Sequence, residues 1–236
     1  MSQGSHLAFL SLVAFVTLAL LAGVWATQPA AHRLRRTVAM AVALASWLGG
    51  TATLALSGAL SAFDRIPPPA AFLFLGLLAG TVALTISPLG RRLAHGVPLA
   101  ALVGVQAFRV PLEVLLHRLY TEGVLPVQVT YEGWNYDIAT GLLAVPLAVW
   151  LWRSRVPAGL VTAWNVLGLI LVLIVVATAV LSLPTPFQQV AAEPDTSAIA
   201  TTAPLIWLPA VLVQAALLGH FLVFRRLLGM SGQPRP

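Results

Sequence analysis

Four polar side chains recur every three or four residues in the segment LVGVQAFRVPLEVLLHRLYTEG, namely Gln106, Arg109, Glu113 and His117. These intervals align side chains along one face of an α-helix. A carboxyl group and an imidazole can exchange protons, and a guanidinium binds carboxylates and other anions through charge-assisted hydrogen bonds. Because the rest of the segment is apolar, the pattern indicates binding of a proton or a small polar or anionic ligand within a membrane helix.

The position of this face is costly unless it is sheltered from lipid. Counting along the segment puts Arg109 near the middle of a bilayer, where a charged residue costs about 2.5–3.5 kcal/mol on insertion scales. The face should therefore point into a helix bundle or a wet cavity, with an Arg109–Glu113 ion pair and a hydrogen bond from Gln106. Pro111 leaves the carbonyl of Ala107 without its helical donor and can kink the helix there.

Later segments add polar residues that can meet this face. The stretch TYEGWNYDIATG holds Glu132, Asn135 and Asp137 just before the next apolar run. If that helix begins early, these residues lie within the membrane and face the arginine; if it begins late, Asp137 is an ordinary N-cap. Asn165 and Gln214 lie within two further apolar segments, where either can line a polar, outward-opening cavity or simply hydrogen-bond between helices.

The elements that must position these residues are membrane helices. Of 236 residues, 59% are hydrophobic and only 8% are charged, whereas a soluble domain carries about a quarter charged residues. The net charge is +6 and every basic residue is arginine. These arginines cluster at the ends of apolar segments and not along one continuous run, so they indicate positive-inside topology and argue against nucleic-acid binding.

Seven apolar segments are each about long enough to cross 30 Å of hydrocarbon. Their approximate bounds are 6–26, 37–60, 69–89, 97–120, a fifth that begins between 131 and 137 and ends near 152, then 157–183 and 205–224. The sequence thus predicts an all-α polytopic protein with seven transmembrane helices. A single bundle over residues 1–236 is the simplest domain organisation.

Charges in the connecting segments predict the orientation. One set of alternate loops and the C-terminal tail is basic, and contains Arg33, Arg35, Arg36, Arg91, Arg92, Arg153, Arg155, Arg225, Arg226 and Arg235. The other set contains Asp64, Glu122, Glu132, Asp137, Glu193 and Asp195, together with Arg65. We therefore expect the N-terminus outside and the C-terminus in the cytoplasm, in the inner membrane of a bacterial cell.

No cofactor or metal is predicted. Cysteine is absent, which excludes thiolate ligands and cysteine nucleophiles. The five histidines show neither H-x-x-x-H nor HExxH spacing for zinc. There is also no nucleophile elbow or phosphate loop, so the sequence favours a protein that is not an enzyme.

The second half of the chain resembles an uncharacterised family of bacterial seven-helix integral membrane proteins. The residues that carry this resemblance are Gln106, Phe108, Arg109, Glu113, Gly123, Pro126, Thr130, Glu132, Gly133, Asn135, Asp137, Trp164, Asn165, Gly168, Pro184, Pro186, Phe187, Trp207, Leu208 and Pro209. It covers mainly the fourth to seventh segments, and Trp134 departs from it where a basic residue is expected. The resemblance implies a seven-helix topology and no function.

Three functions follow from these observations. The first is a polar intramembrane site that binds or translocates a small polar or anionic ligand or a proton, with the lipid bilayer as the other partner. Its predicted ligand-binding residues are Gln106, Arg109, Glu113, His117, Glu132, Asn135, Asp137, Asn165 and Gln214. The alternatives are a structural or accessory subunit whose polar core only fixes packing, and an intramembrane enzyme acting on lipid or quinone.

Overall fold

The computed structural model describes residues 1–191 and 197–231, and within these ranges the protein is all-helical, without a β-strand. We number the helices α1 (Gln3–Thr27), α2 (Arg33–Leu56), α3 (Pro69–Ile86), α4 (Pro88–Gly96), α5 (Leu99–Thr121), α6 (Ile138–Arg153), α7 (Ala158–Leu181) and α8 (Val213–Ser231). A π-helical turn, Leu208–Leu212, leads into α8. Three charged residues of the predicted loops and tail lie outside the described residues, namely Glu193, Asp195 and Arg235.

The predicted all-α class is confirmed, and six of the helices are long and apolar enough to cross a membrane. Four of them are α1, α3, α5 and α7. The other two are the segment Ala30–Leu56, which contains α2, and the segment Leu208–Gly229, which contains most of α8. The helix α6 corresponds to the fifth predicted segment, but it has only 16 residues. It is short because the chain before it, residues 122–137, folds as turns and one short 3-10 helix, Val127–Val129, and not as α-helix.

Proline and serine set several helix boundaries. The third predicted segment, 69–89, divides at Ser87, whose extended backbone ends α3 and whose hydroxyl accepts from the N–H of Gly90 at 3.0 Å. Pro88 then occupies the first position of α4, where its missing N–H costs nothing. The result is a separate helix, α4, which carries Arg91 and Arg92 at the end of the bundle.

The centre of α5 adjusts to Pro111. The turn Val105–Phe108 is a 3-10 turn, in which the N–H of Arg109 donates to the carbonyl of Gln106. A local tightening of this kind is a usual response where a proline removes a helical donor one turn later. The predicted helix therefore continues through the proline, and its polar residues remain on a single element.

The helix α5 is the central element of the bundle. In the most apolar stretch of α5, 56% of the residues are buried, against 11% in the corresponding stretch of the segment that contains α2. Two apolar clusters meet on it, one around Phe9, Leu119 and Leu212 and the other around Val103 and Trp164. Polar side chains on the inward face of α5 are thus enclosed by protein.

The two ends of the bundle differ in charge. At one end Arg36 and Arg92 donate to the side chain of Gln28. The side chain of Arg226 reaches the carbonyl of Ala94 at 3.1 Å, close to the C-terminal end of α4. Arginines from three separate segments therefore share one end.

At the opposite end the start of α1 meets the end of α5. The Glu122 carboxylate accepts from the backbone N–H of Ser2 at 2.8 Å and from the Ser5 hydroxyl at 2.7 Å. The side chain of Arg118 completes this contact by donating to Glu122 at 3.3 Å. The N-terminus is held at the end that bears acidic residues, away from the basic end.

Candidate functional site

A buried ion pair links α5 to the start of α6. The Nη1 atom of Arg109 lies 2.6 Å from Oδ1 of Asp137, and the two residues are 1% and 5% exposed. The same nitrogen lies 3.5 Å from the carbonyl oxygen of Gly168 on α7. Arg109 thus contacts Asp137 and not Glu113, which the sequence predicted, because the turn before α6 presents a carboxylate directly to the guanidinium.

The segment between α5 and α6 is built to place Asp137. A Schellman motif ends α5, with Gly123 at a φ of 70° and the N–H of Val124 donating to the carbonyl of Leu119 at 2.8 Å. The chain then turns back over the bundle, and Val124, Leu125, Val129 and Thr130 are all buried. A non-helical segment that is enclosed by protein satisfies its own polar groups and needs no water.

Asn135 organises this segment through its side chain. Its Nδ2 donates to Oε2 of Glu113 at 2.6 Å and to the carbonyl of Val129 at 3.0 Å. Its Oδ1 accepts from the backbone N–H of Asp137 at 3.0 Å, which is an Asx turn. One amide therefore connects the carboxyl of α5 to the loop and fixes the backbone at the residue that pairs with Arg109.

Asp137 occupies the N-cap position of α6, as it should if that helix begins late. Its side chain makes no capping hydrogen bond to the backbone of α6. Instead, Oδ1 accepts from the hydroxyl of Thr140 at 3.2 Å and from Arg109. The two sequence interpretations therefore combine, since the helix begins late and the aspartate still faces the arginine.

A second polar group lies on the other side of Gly168. Asn165 on α7 donates from Nδ2 to the carbonyl of His220 at 3.0 Å, and its Oδ1 lies 2.8 Å from Nδ1 of the same histidine. Both residues are fully buried. Since Oδ1 only accepts, Nδ1 of His220 carries the proton, and Nε2 is left with a lone pair in the neutral ring.

Glycine is required where these groups converge. A Cβ at Gly168 would lie 2.5 Å from both Cε1 of His220 and Cγ2 of Thr140. A Cβ at Gly141 would lie 3.1 Å from Cβ of Arg109. The close approach of α6 and α7 to α5 and α8 therefore depends on these two glycines.

Several buried polar atoms in this region have no hydrogen-bond partner in the described protein. They belong to residues of α5 and α8 and are Nε and Nη2 of Arg109, Oε1 of Gln106 and Nε2 of His220. An unsatisfied buried donor or acceptor costs about 1–3 kcal/mol.

The remaining predicted residues lie at other positions. His117 and Glu132 meet at the surface end of α5, where His117 Nε2 is 3.6 Å from Oε1 of Glu132 and its ring stacks on Tyr131 at 4.6 Å. Their side chains are 23% and 52% exposed, so this pair is reachable from solvent. It lies one helical turn beyond Glu113 along α5.

Gln106 and Gln214 face different surroundings. Gln106 is fully buried and donates from Nε2 to the carbonyl of Ala216 at 3.3 Å, which ties α5 to α8. Gln214 accepts from the hydroxyl of Thr81 at 2.7 Å and donates to the carbonyl of Pro209 at 3.1 Å. Among the described residues the hydrogen bonds of Gln214 go to Thr81 and Pro209 and not to the Arg109 group, and they suit the interhelical role that the sequence also allowed.

The structure adds residues that the sequence interpretation missed. His220, which the sequence analysis did not single out, is fully buried beside Asn165, with Trp164 at 5.5 Å between ring centroids. Thr140 contributes both its hydroxyl to Asp137 and its carbonyl to the indole of Trp164. An i, i+3 spacing of Asp137 and Thr140 was the available signal for the threonine.

The polar group is closed in this conformation. We call Arg109, Glu113, Asn135, Asp137 and His220 the polar cluster, and each is at most 5% exposed. Two cavities of the described protein, of about 430 and 720 Å³, have neither Arg109 nor Glu113 in their walls. With its side chains this deeply buried, the polar cluster does not open to solvent in this conformation.

The polar cluster combines one cation with three groups that can bind or release a proton. Its fixed cation is Arg109, its carboxyl groups are Glu113 and Asp137, and His220 is a neutral acceptor at Nε2. In the part of the chain that the structure describes, no three His, Asp or Glu side chains are grouped as metal ligands. The side chains of the polar cluster can exchange protons and form hydrogen bonds.

Comparison with known proteins identifies the family without a function. A family model described as a domain of unknown function (DUF8737) matches residues 66–228, which include all nine predicted site residues. No curated protein and no solved structure matches the chain. This match agrees with the resemblance to an uncharacterised family. Because the match spans more than half of the sequence, the chain belongs to the DUF8737 family.

Proposed function

We propose that this chain is a seven-span membrane protein that binds a proton reversibly at the polar cluster, taking it up from the acidic end of the bundle. The observation that carries the proposal is the composition of the cluster. One guanidinium, Arg109, is enclosed with two carboxyl groups, Glu113 and Asp137, and with a neutral imidazole, His220.

Charge balance favours a proton over an anion as the ligand. With both carboxyl groups ionised, the cluster would carry a net negative charge in a medium where an uncompensated charge is costly. One bound proton makes the cluster neutral, whereas a bound anion would increase the imbalance. The closed packing points the same way, since a proton needs no cavity.

The geometry divides the two carboxyl groups by role. Asp137 is held by Arg109 at 2.6 Å and by Thr140, which favours its ionised form. Glu113 accepts from a neutral amide, that of Asn135, and has no cation within ion-pair distance among the described residues. We therefore assign the exchangeable proton to Glu113.

A route for the proton runs along α5. Glu113 and His117 are four residues apart, so their Cβ atoms are about 5–6 Å from each other on one face. His117 in turn contacts the exposed Glu132. An imidazole that lies between a surface carboxylate and a buried carboxyl group can accept a proton from one and pass it to the other.

The membrane topology is the second part of the proposal. The short helix α6, completed by the buried turns that precede it, is counted as a span in addition to the six longer ones, which gives seven. The arginine-rich end then faces the cytoplasm and the end that holds Ser2 and Glu122 faces outward. The chain has no cysteine, so the variants Arg65→Cys and Arg155→Cys each give one labelling site, and a membrane-impermeant maleimide applied to intact cells should label only the first. Labelling of the Arg155→Cys variant alone would show that the orientation is the reverse of the proposed one. Labelling of both variants would place both loops outside and would refute an odd number of spans.

Infrared spectroscopy of the purified protein tests the proton site. The expected result is a protonated carboxyl band that titrates in the wild type and is lost in Glu113→Gln. The same band should persist in Glu122→Gln, which removes a carboxyl from the same end of the bundle but outside the route. A spectrum in which Glu113→Gln leaves every protonated carboxyl band unchanged would refute the assignment.

One observation favours a second candidate, a structural role for the cluster. Asn135 and Asp137 tie the turns of residues 122–137 to α5, so these bonds also hold the loop in place. If this is their only purpose, well-packed apolar replacements of Arg109 and Asp137 together should preserve both the fold and any activity.

A further inference from the structure

The helix α2 packs along α1 and makes little contact with α3. It reaches the far side of the bundle through two indole contacts. Trp47 Nε1 donates to the carbonyl of Ala210 at 3.1 Å, and Trp207 Nε1 donates to the carbonyl of Leu48 at 3.2 Å. Between these contacts and the basic end a seam remains open between α2 and α3.

This seam contains an apolar cavity of about 720 Å³. Its size falls in the range of about 300–1,000 Å³ that is usual for small-molecule sites. On α3 the wall includes Gly76 and Gly80, and a Cβ at either position would meet no atom within 4 Å. On α2 the wall includes Leu44, Trp47 and Leu48. The missing side chains of the two glycines leave the space that the seam encloses.

A second cavity, of about 430 Å³, lies at the basic end of the same seam. Its wall includes Gln28, Arg36, Met40 and Arg92. Met40 is one turn before Leu44 on α2, so the small cavity follows the large one along the helix. A charged mouth is therefore placed at the end of an apolar channel.

Two guanidinium groups converge at this mouth on one neutral acceptor. Nη1 of Arg36 and Nη1 of Arg92 each donate to Oε1 of Gln28 at 2.7 Å, and Gln28 is 4% exposed. The two nitrogens thus lie no further apart than twice that distance. The sequence has no aspartate or glutamate in residues 1–63 or 65–112, which include every residue that lines this mouth. An amide oxygen cannot neutralise two cations, whereas a phosphate group can accept from both.

We propose that an anionic phospholipid occupies this seam, with its phosphate between Arg36 and Arg92 and an acyl chain in the apolar cavity. The dimensions fit. From Arg36 to Trp47 the helix rises about 16 Å, which is close to half of the roughly 30 Å hydrocarbon thickness. Basic pockets between membrane helices on the cytoplasmic side are a known means of binding anionic lipid headgroups. The proposal does not depend on proton binding at the polar cluster.

Native mass spectrometry of the full chain in a neutral detergent tests the proposal. The probes are palmitoyl-oleoyl phosphatidylglycerol, the matching phosphatidylcholine and inorganic phosphate. We expect saturable retention of phosphatidylglycerol, at least about tenfold tighter than that of phosphatidylcholine. Binding of inorganic phosphate as tight as that of the lipid would overturn the proposal in favour of a free-anion site, and an apolar seam filled by a second copy of the chain would overturn it in favour of a dimer.

Two sets of variants separate the charged mouth from the seam. The double variant Arg36→Gln, Arg92→Gln should weaken phosphatidylglycerol binding about tenfold or more. Its matched control is Arg35→Gln, Arg91→Gln, which removes the same charge from exposed neighbours on the same two helices. An equal loss in the control would show only general attraction to the basic end and would refute the site.

Filling the seam provides the independent measurement. The variant Gly80→Leu places a side chain in the open space on α3 and should weaken binding of the diacyl lipid while leaving the charged mouth intact. The thermal transition of each variant in the same detergent reports whether it is folded. A folded Gly80→Leu protein that retains phosphatidylglycerol as the wild type does would contradict the placement of the acyl chain.

Discussion

The guanidinium of Arg109 and the carboxylate of Asp137 meet at 2.6 Å, although 28 residues separate them in the chain and neither is more than 5% exposed. The pair joins the middle of α5 to the residue that directly precedes α6. It explains how a cation can lie inside an apolar bundle, and it connects the helix that carries Glu113 to the loop that carries Asn135.

The Arg109–Asp137 pair should respond differently to single and double replacement. Arg109→Met alone leaves a buried carboxylate without its cation, and we expect a loss of about 3–5 kcal/mol in the free energy of unfolding. Arg109→Met combined with Asp137→Leu should recover a large part of this loss, because no unpaired charge is left. Unfolding in detergent by denaturant measures both, and a double variant no more stable than the single one would contradict the ion-pair account.

The amide of Asn135 should be essential for the turns before α6. Asn135→Ala removes the donor to Glu113 and the acceptor for the N–H of Asp137, so we expect destabilisation of about 1–3 kcal/mol. It should also speed proteolytic cleavage between residues 122 and 137. Tyr136→Ala, a change at an exposed neighbour, is the control. Equal cleavage rates in the two variants would argue against the organising role.

Glycine 168 should tolerate no side chain. Gly168→Ala would place a methyl group 2.5 Å from atoms of His220 and Thr140, and overpacking of this kind costs about 1–3 kcal/mol. Gly159→Ala on the same helix meets no atom within 4 Å and should be neutral or stabilise the helix by up to about 1 kcal/mol. Melting temperatures of the two variants compare them directly. Equal shifts would show that the close contact at Gly168 is not tight.

The contact of Glu122 with the N-terminus should depend on pH. Hydrogen bonds from the Ser5 hydroxyl and from the backbone and hydroxyl of Ser2 lower the pKa of Glu122 from 4.5 to about 2. A lowered pKa in the folded state means that the stabilisation is fully present above about pH 4.5 and is lost as the pH falls through about 2. The protection of the amides in the first turn of α1, taken relative to their intrinsic exchange rate at each pH, should therefore be retained at pH 5 and lost in strong acid.

The Glu122→Gln variant provides the comparison for that pH dependence. It should exchange faster than the wild type in the first turn of α1 at pH 5, because the carboxylate acceptor is gone. The matched variant Glu132→Gln removes an acidic residue from the same end without touching Ser2 or Ser5. Slow exchange in Glu122→Gln at pH 5 would show that the carboxylate does not hold the N-terminus.

Much of the helical framework was predictable because apolar segments of about 20 residues have few alternatives to a membrane helix. The boundaries that failed are those set by local turns. The third segment was predicted as one helix to residue 89, but the extended backbone of Ser87 divides it. The start of α6 was left open, since no pattern in TYEGWNYDIATG reveals the turns that Asn135 forms.

The polar site was predictable in part. The spacing on α5 identified Arg109 and Glu113 as buried groups, and both are. The choice of Asp137 over Glu113 as the partner of Arg109 depends on where the loop places its backbone, which spacing along one helix cannot show. His220 was missed for a similar reason. Its depth depends on the length of α8, which extends to Ser231 and not to residue 224 as the hydropathy indicated.

The proton at Glu113 is the central claim, and a potentiometric difference titration of purified protein counts it directly. Wild type and Glu113→Gln are titrated from neutral to alkaline pH in the same detergent, with Glu122→Gln as the control. The account predicts that wild type and Glu122→Gln each release about one proton more than Glu113→Gln over this range, since a neutral cluster must give up the proton held by Glu113. Identical proton release from all three proteins would contradict it.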